Sequence, residues 1–456
     1  MKQTLSYLFK SLFIMALWVN PVNAMQSSGE VPGERNGNEV NNMIKSHDLN
    51  ALFNLALQHN PALARVESQK NQALNALQQT KAEGKVEVRL KSELSYTVMS
   101  EKAFARTSNQ VEATYPLYEP QLNDKIQGAN LTHQSQQWRL EAEKQAVLSQ
   151  VVERYLSYWQ QQQRLIFQHK EQASIESIMQ QVQQRFQVGF QDLNDIVEIQ
   201  SRLDFNLVER LTAQQTLEEI EAFLLADIGL ENGRLFNVEG LVFPTASLPN
   251  LETLRQKINT LLTQQTDQVW LKLTAQNPKL LAIEQQTLAV RQQVAFARNN
   301  DGMKVEAFGA YVLNESDNNF YDDMRGARAG LRLSVPLYLG GQTKASVAQK
   351  SQQVLQNQAS KREVALKIAA EAYKAWRALQ SSQQRLNALK SALNSSKQAV
   401  TSSKQSLKTG RRNVLDLLDA QRLVHRIQRD IPIVEAQVWK SYYQLLFAMG
   451  TLKVGA

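Results

Sequence analysis

Asp416 and Asp419 stand three residues apart in the run Thr409-Gly410-Arg411-Arg412-Asn413-Val414-Leu415-Asp416-Leu417-Leu418-Asp419-Ala420-Gln421. On a helix that spacing puts both carboxylates on one face, and in the first turn they complement the positive end of the helix dipole. Gly410 can take the left-handed conformation that ends one helix, and Asn413 is a good cap for the next. The segment therefore reads as the tip of a tight helical hairpin, and acidic residues stabilising a helix start are a sufficient local account of the pair. Little other chemistry is on offer. The five histidines, His47, His59, His133, His169 and His425, are scattered without metal-ligand spacing. No phosphate-cradling glycine loop or nucleophile elbow occurs. The chain has no cysteine, which removes thiolate metal sites, thiol nucleophiles, disulfides and the lipid-modified cysteine of a bacterial lipoprotein. Most carboxylates lie on glutamine-rich helix faces, where they read as solvated surface. The residues argue against an enzyme, and they call for neither a cofactor nor a metal.

The tip occurs twice. Gln187-Val188-Gly189-Phe190-Gln191-Asp192-Leu193-Asn194-Asp195 repeats it upstream, with Gly189 preceding Gly410 by 221 positions. Asn60-Pro61 recurs as Asn277-Pro278, Tyr115-Pro116-Leu117-Tyr118 as Val335-Pro336-Leu337-Tyr338, and Asp227-Ile228-Gly229 as Ala448-Met449-Gly450. One unit of about 220 residues used twice explains these intervals. The units are expected over residues 47–229 and 277–450, joined by an equatorial segment, 230–276, and followed by a short tail, 451–456.

Composition narrows the class. Gly and Pro are few for 456 residues, with 18 and 10, which favours long helices over compact lobes. The formal charge of +8 comes from dispersed Lys and Arg without the basic runs that nucleic acid requires, so no nucleic-acid partner is expected. Lys2 and Lys10 precede an apolar run, Leu12 to Val19, and Val22-Asn23-Ala24 supplies a small-residue cleavage pattern. Residues 1–24 are read as a secretory signal peptide and 25–46 as a polar leader. The apolar run falls well short of the roughly 20 residues that span a bilayer, which disfavours an uncleaved anchor.

From Lys85 the hydrophobic period changes from 3.6 to 2. Val86, Val88, Leu90, Leu94, Tyr96 and Val98 alternate with Lys85, Glu87, Arg89, Lys91 and Glu93, the pattern of a strand with one apolar and one charged face. Four strands are expected, at about 85–98, 104–118, 304–313 and 327–338. A soluble sandwich could hold any one of them, but two isolated hairpins between long helices lack the many short strands that a sandwich needs. Such strands match a barrel wall with lipid outside and water within. Four cannot close a membrane barrel, so several protomers would have to pool them. The remainder is helical. Leu131, Trp138, Val152, Trp159 and Ile166 share a seven-residue series, as do Leu379, Leu386, Leu393, Val400 and Leu407, and Leu417, Val424, Ile431, Val438 and Leu445. These heptads predict antiparallel coiled-coil hairpins, with Ser396 and Ser403 small enough for close helix approach and a kink expected at Pro432.

With these features in hand, the sequence resembles the TolC-type outer-membrane channel proteins over essentially the whole mature chain. The most specific match is the tip, where Thr409-Gly410-Arg411-Arg412-Asn413-Val414-Leu415-Asp416-Leu417-Leu418-Asp419-Ala420 meets the family pattern. The resemblance implies a homotrimer in which twelve pooled strands form one outer-membrane barrel in contact with lipid, and twelve helices continue as a tunnel across the periplasm. It implies that Asp416 and Asp419 line the periplasmic entrance as two acidic rings, and that Arg412 and Asp195 make closed-state tip contacts beside the turns at Gly189 and Gly410. The tyrosine that completes those contacts elsewhere corresponds here to Leu407. The implied function is a passive duct for small compounds or unfolded protein, working with a periplasmic adaptor seated between hairpin tips and an inner-membrane ABC or RND pump. A non-transporting coiled-coil scaffold is the alternative of a different class.

Overall fold

The computed structural model describes residues 49–99, 102–190, 192–230, 268–316, 324–409, 411 and 413–455, together with Gln256, Ile258 and Thr260. The expected signal peptide and leader lie outside these residues, as does most of the expected equatorial segment.

Among the described residues eight α-helices and four strands follow in order: α1 Leu49–His59, α2 Pro61–Ala82, β1 Glu87–Met99, β2 Lys102–Tyr118, α3 Pro120–Gln187, α4 Leu193–Ile228, α5 Val269–Leu273, α6 Pro278–Arg298, β3 Lys304–Ser316, β4 Met324–Ser334, α7 Gln342–Lys408 and α8 Val414–Met449. The first helical stretch, Leu49 to Ala82, is split at Asn60-Pro61. Proline drives the residue before it out of the helical region, and Asn60 sits at φ −64° and ψ 121° with its side chain accepting from the Ala62 amide. The fourth strand ends at Ser334 rather than near 338, because Pro336 has no amide to add to the ladder.

The strands form one antiparallel sheet in the order β1-β2-β3-β4. Register sorts the side chains. Leu90 faces Val111, Val111 faces Tyr311, and Tyr311 faces Ala327, so apolar residues from all four strands share one side. They are unburied there: Val88 is 66% exposed, Leu90 56% and Leu331 70%. On the other side Arg332 of β4 reaches across β3 to Glu112 of β2, with Nη2 to Oε1 at 3.2 Å, and pairs with Glu306. Its guanidinium lies 4.9 Å from the Phe308 ring centroid.

The same junction occurs in both halves. Gly229 ends α4 at φ +85°, Gly450 ends α8 at φ +72°, and each abuts an Asn-Pro turn so closely that an added Cβ would lie 2.3 Å from the His59 carbonyl oxygen or 2.7 Å from the Asn277 Cα. Asn60 donates from Nδ2 to the Asp227 carbonyl at 2.7 Å, and Asn277 donates to that of Ala448 at 3.0 Å. Each asparagine thus caps the start of one helix and satisfies a terminal carbonyl of another.

α3 has 68 residues and α7 has 67, each about 100 Å long at 1.5 Å per residue. They fold back on α4 and α8 as two long hairpins, which meet along α3 and α8. Three apolar clusters stud this shaft. One joins α1, α3, α4 and α8 around Phe53 and Tyr155, one joins α5, α6, α7 and α8 around Leu379 and Leu445, with Ile258 in it, and one joins α3, α4, α7 and α8 near the tips. α8 runs through the buried Pro432 as a single helix. Ser396 and Ser403 are 7% and 1% exposed, as close helix contact requires.

Candidate functional site

The two tips close by one mechanism. After α3 the Phe190 amide donates to the Arg185 carbonyl at 2.9 Å, and Gly189 holds φ +79°. After α7 the Arg411 amide makes the same six-residue closure to the Ser406 carbonyl at 2.9 Å. After α3 this is a C-terminal helix cap that uses a left-handed residue. Gly410 and Arg412, two of the residues singled out in the sequence, lie outside the described residues. Asp192 caps α4, and Asp195 sits half-buried in its first turn.

At the start of α8 the Asn413 side chain accepts from the Leu415 amide at 3.3 Å, while the Asn413 amide donates to Asp416 Oδ2 at 3.2 Å. This capping box fixes the Asp416 carboxylate against the helix start. Leu417 and Leu418 turn inward, so Asp416 and Asp419 are left exposed on the other face. Asp419 takes a partner that sequence spacing does not disclose. Arg202 Nη1 of α4 lies 2.8 Å from Asp419 Oδ1, and Arg202 Nη2 lies 2.6 Å from Glu198 Oε1. Burial opposes the arginine charge, but hydrogen bonds to Glu198 and Asp419 more than restore it and hold its pKa above the ordinary value. The only local sign of this residue is a cation four residues after Glu198, beside the heptad position of Leu203. Leu407 packs into the apolar tip cluster with Val182, Ile199 and Leu418.

Above this bridge α3, α4 and α8 enclose a cavity of about 310 Å³ whose wall includes Glu171, Arg202, Asn206, Glu209, Arg422 and His425. Burial pushes the Glu171 carboxyl up, opposed by Arg422 and reinforced by Glu209. Burial pushes the His425 imidazole down, and Lys170 adds to it. Asn206 Oδ1 and His425 Nδ1 are buried without a hydrogen-bond partner among the described residues. Among those residues no group of three or more His, Cys, Asp or Glu has the geometry of a metal site, and no helix is long and apolar enough to cross a membrane.

Two helical hairpins whose longer arms, α3 and α7, run about 100 Å from a small sheet with one exposed, largely apolar side have the architecture of an outer-membrane channel protein. The sequence profile described as outer membrane efflux protein matches residues 52–229 and 271–451, and the chain belongs to that family. It is similar to the outer membrane protein TolC of Vibrio cholerae, 21% identical over 423 residues that cover 91% of this chain and 93% of the relative. The outer membrane efflux protein BepC of Brucella suis is 22% identical over 336 residues, 73% of this chain and 69% of the relative. Among solved structures, the outer membrane protein VceC of Vibrio cholerae superposes with a TM-score of 0.75 at 16% identity, covering 88% of this chain and 96% of that one. The chain is therefore an outer-membrane protein of an efflux-channel family, and that family carries transport rather than catalysis.

Proposed function

We propose that the chain is one third of a passive trimeric duct, the outer-membrane member of a tripartite efflux or type I secretion system. The observation that carries this reading is the sheet: its four strands, the shortest of 11 residues, meet the 9–11 residues needed to cross a bilayer, and share one side on which Val88, Leu90, Val111, Tyr311, Leu331 and Leu333 form an exposed apolar band. Its order leaves β1 and β4 each with an unpaired edge. An open edge is not tolerated in hydrocarbon, so β4 of one copy must pair with β1 of the next until the ring closes. Three copies give twelve strands, above the roughly eight at which bacterial barrels begin. The helical hairpins then continue the wall into the periplasm, where their tips converge on the side of an adaptor and an inner-membrane pump.

In this reading Asp416 and Asp419 from three chains form two acidic rings at the periplasmic entrance, a field that favours cations. Asp195 and Arg412, beside the turns at Gly189 and Gly410, hold the closed tips together. Single-channel recording in planar bilayers tests the rings. Asp416→Ala combined with Asp419→Ala lowers cation preference and weakens block by multivalent cations. Unchanged selectivity would remove both residues from the constriction.

A further inference from the structure

We infer that Arg202 is a positioning residue of the entrance, the latch that ties the α7–α8 hairpin to the α3–α4 hairpin through Asp419. This rests on the reading of Asp416 and Asp419 as entrance-lining residues and adds to it how one of them is held. Arg202 stands on α4 and Asp419 on α8, 217 positions apart in sequence, so the bond between them crosses from one hairpin to the other. A guanidinium, with its two terminal nitrogens pointing apart, suits the task. One nitrogen grips Glu198 on its own helix and fixes the direction of the guanidinium, which leaves the other aimed at α8. The arginine side chain is only 20% exposed, whereas the Asp419 carboxylate is 64% exposed. The cation is thus anchored in the cavity wall and its partner reaches in from the exposed face. Leu407 cannot donate a hydrogen bond and contributes apolar contact alone. Arg202 supplies a charged link between the hairpins at this level, beside the neutral bond that Ser174 Oγ donates to Gln421 Oε1 at 3.1 Å.

Two consequences follow from one bond. Separating α8 from α4 must break the bridge, so losing either partner loosens the tip. The electrostatic consequences are opposite in sign: the cluster of Glu198, Arg202 and Asp419 carries one net negative charge, which rises in magnitude when the arginine is removed and vanishes when the aspartate is.

The experiment is single-channel recording of the purified protein in planar bilayers, with heat-sensitive oligomer on a gel as the check of assembly. Arg202→Gln and Asp419→Asn each raise mean conductance by about two- to fivefold, the range expected for loss of one partly exposed ion pair, and the double variant rises no further. Arg202→Gln raises the cation-to-anion permeability ratio while Asp419→Asn lowers it. Arg202→Glu with Asp419→Arg restores the low conductance. Additive or absent effects on conductance overturn the latch. Asp419→Asn alters an exposed side chain, and carries the conductance test by itself should the arginine variant fail to assemble. Asp416→Asn separates this proposal from the reading beneath it. If selectivity responds to Asp416→Asn but conductance ignores Arg202→Gln and Asp419→Asn, the latch alone fails. If none of the three alters either quantity, the entrance assignment fails with it.

Discussion

The cavity next to the tips sets two titrating groups against each other. His425 is favoured neutral by the fold because burial and Lys170 both oppose its charge. Its contribution is complete above the ordinary histidine pKa of about 6.5 and is lost as pH falls through its lower folded value. Glu171 is favoured protonated, since burial opposes its charge more than Arg422 relieves it. Its contribution is present below the ordinary carboxylate pKa of about 4.3 and fades as pH rises through the raised value. On acidification from neutrality the histidine therefore loosens the contact of α8 with α3 and α4, and the glutamate tightens it. Hydrogen exchange of the amides of residues 414–430 measures this. His425→Gln abolishes the loss of protection that sets in below about pH 6.5, and an unchanged pH profile would place the acid sensitivity elsewhere. How far such residues can be read from sequence depends on the range of their interactions. The cap made by Asn413 and Asp416 spans three positions and is legible from residue type alone. The pair of Arg202 with Asp419 depends on which helix faces which, and nothing local marks it.

Elements were legible where a single rule governs them, and mis-bounded where a neighbour intervenes. The alternation of β1 to β4 is plain in the sequence because successive side chains of a strand point to opposite faces, one largely apolar and one charged. Of the heptads of α7 and α8, Leu379, Leu386, Leu417, Val438 and Leu445 are buried, while Leu393, Val400, Leu407, Val424 and Ile431 are half-buried. On α3 the same series is buried only in part: Val152 is 2% exposed and Trp159 6%, but Trp138 is 37% and Ile166 40%. A straight helix drifts by about 20° per heptad against a strict seven-residue repeat. α3 also changes partners along its length, from α2 and α6 to α1, α4 and α8, so no one stripe can stay covered. The sheet supports a prediction at this scale. Leu331→Arg, on the apolar face, costs about 2–4 kcal/mol at membrane depth, whereas Gln110→Arg, on the charged face beside Lys91, leaves stability within about 0.5 kcal/mol. Urea unfolding from lipid vesicles compares them, and equal costs would show that the apolar face does not meet lipid.

At the scale of the whole molecule, the sheet unites the two halves of the chain. β2 pairs with β3 across 185 residues of intervening sequence, bringing one hairpin of strands from each half side by side, and the glycine junctions at Gly229 and Gly450 repeat one solution to ending a long helix against a turn. What the sequence could not supply is the pairing of β2 with β3, because the alternation of a strand names its faces and not its neighbours. The outer edges of β1 and β4 state the requirement on which everything else depends. Since the chain has no cysteine, those edges can be tested by disulfide trapping with no background. Ser92→Cys in β1 is combined in turn with single cysteine replacements along residues 324–334 of β4, and membranes are oxidised and run on a denaturing gel. The account predicts a ladder of one, two and three chains that stops at three. Monomer alone at every position, or a ladder that runs past three without end, would contradict it.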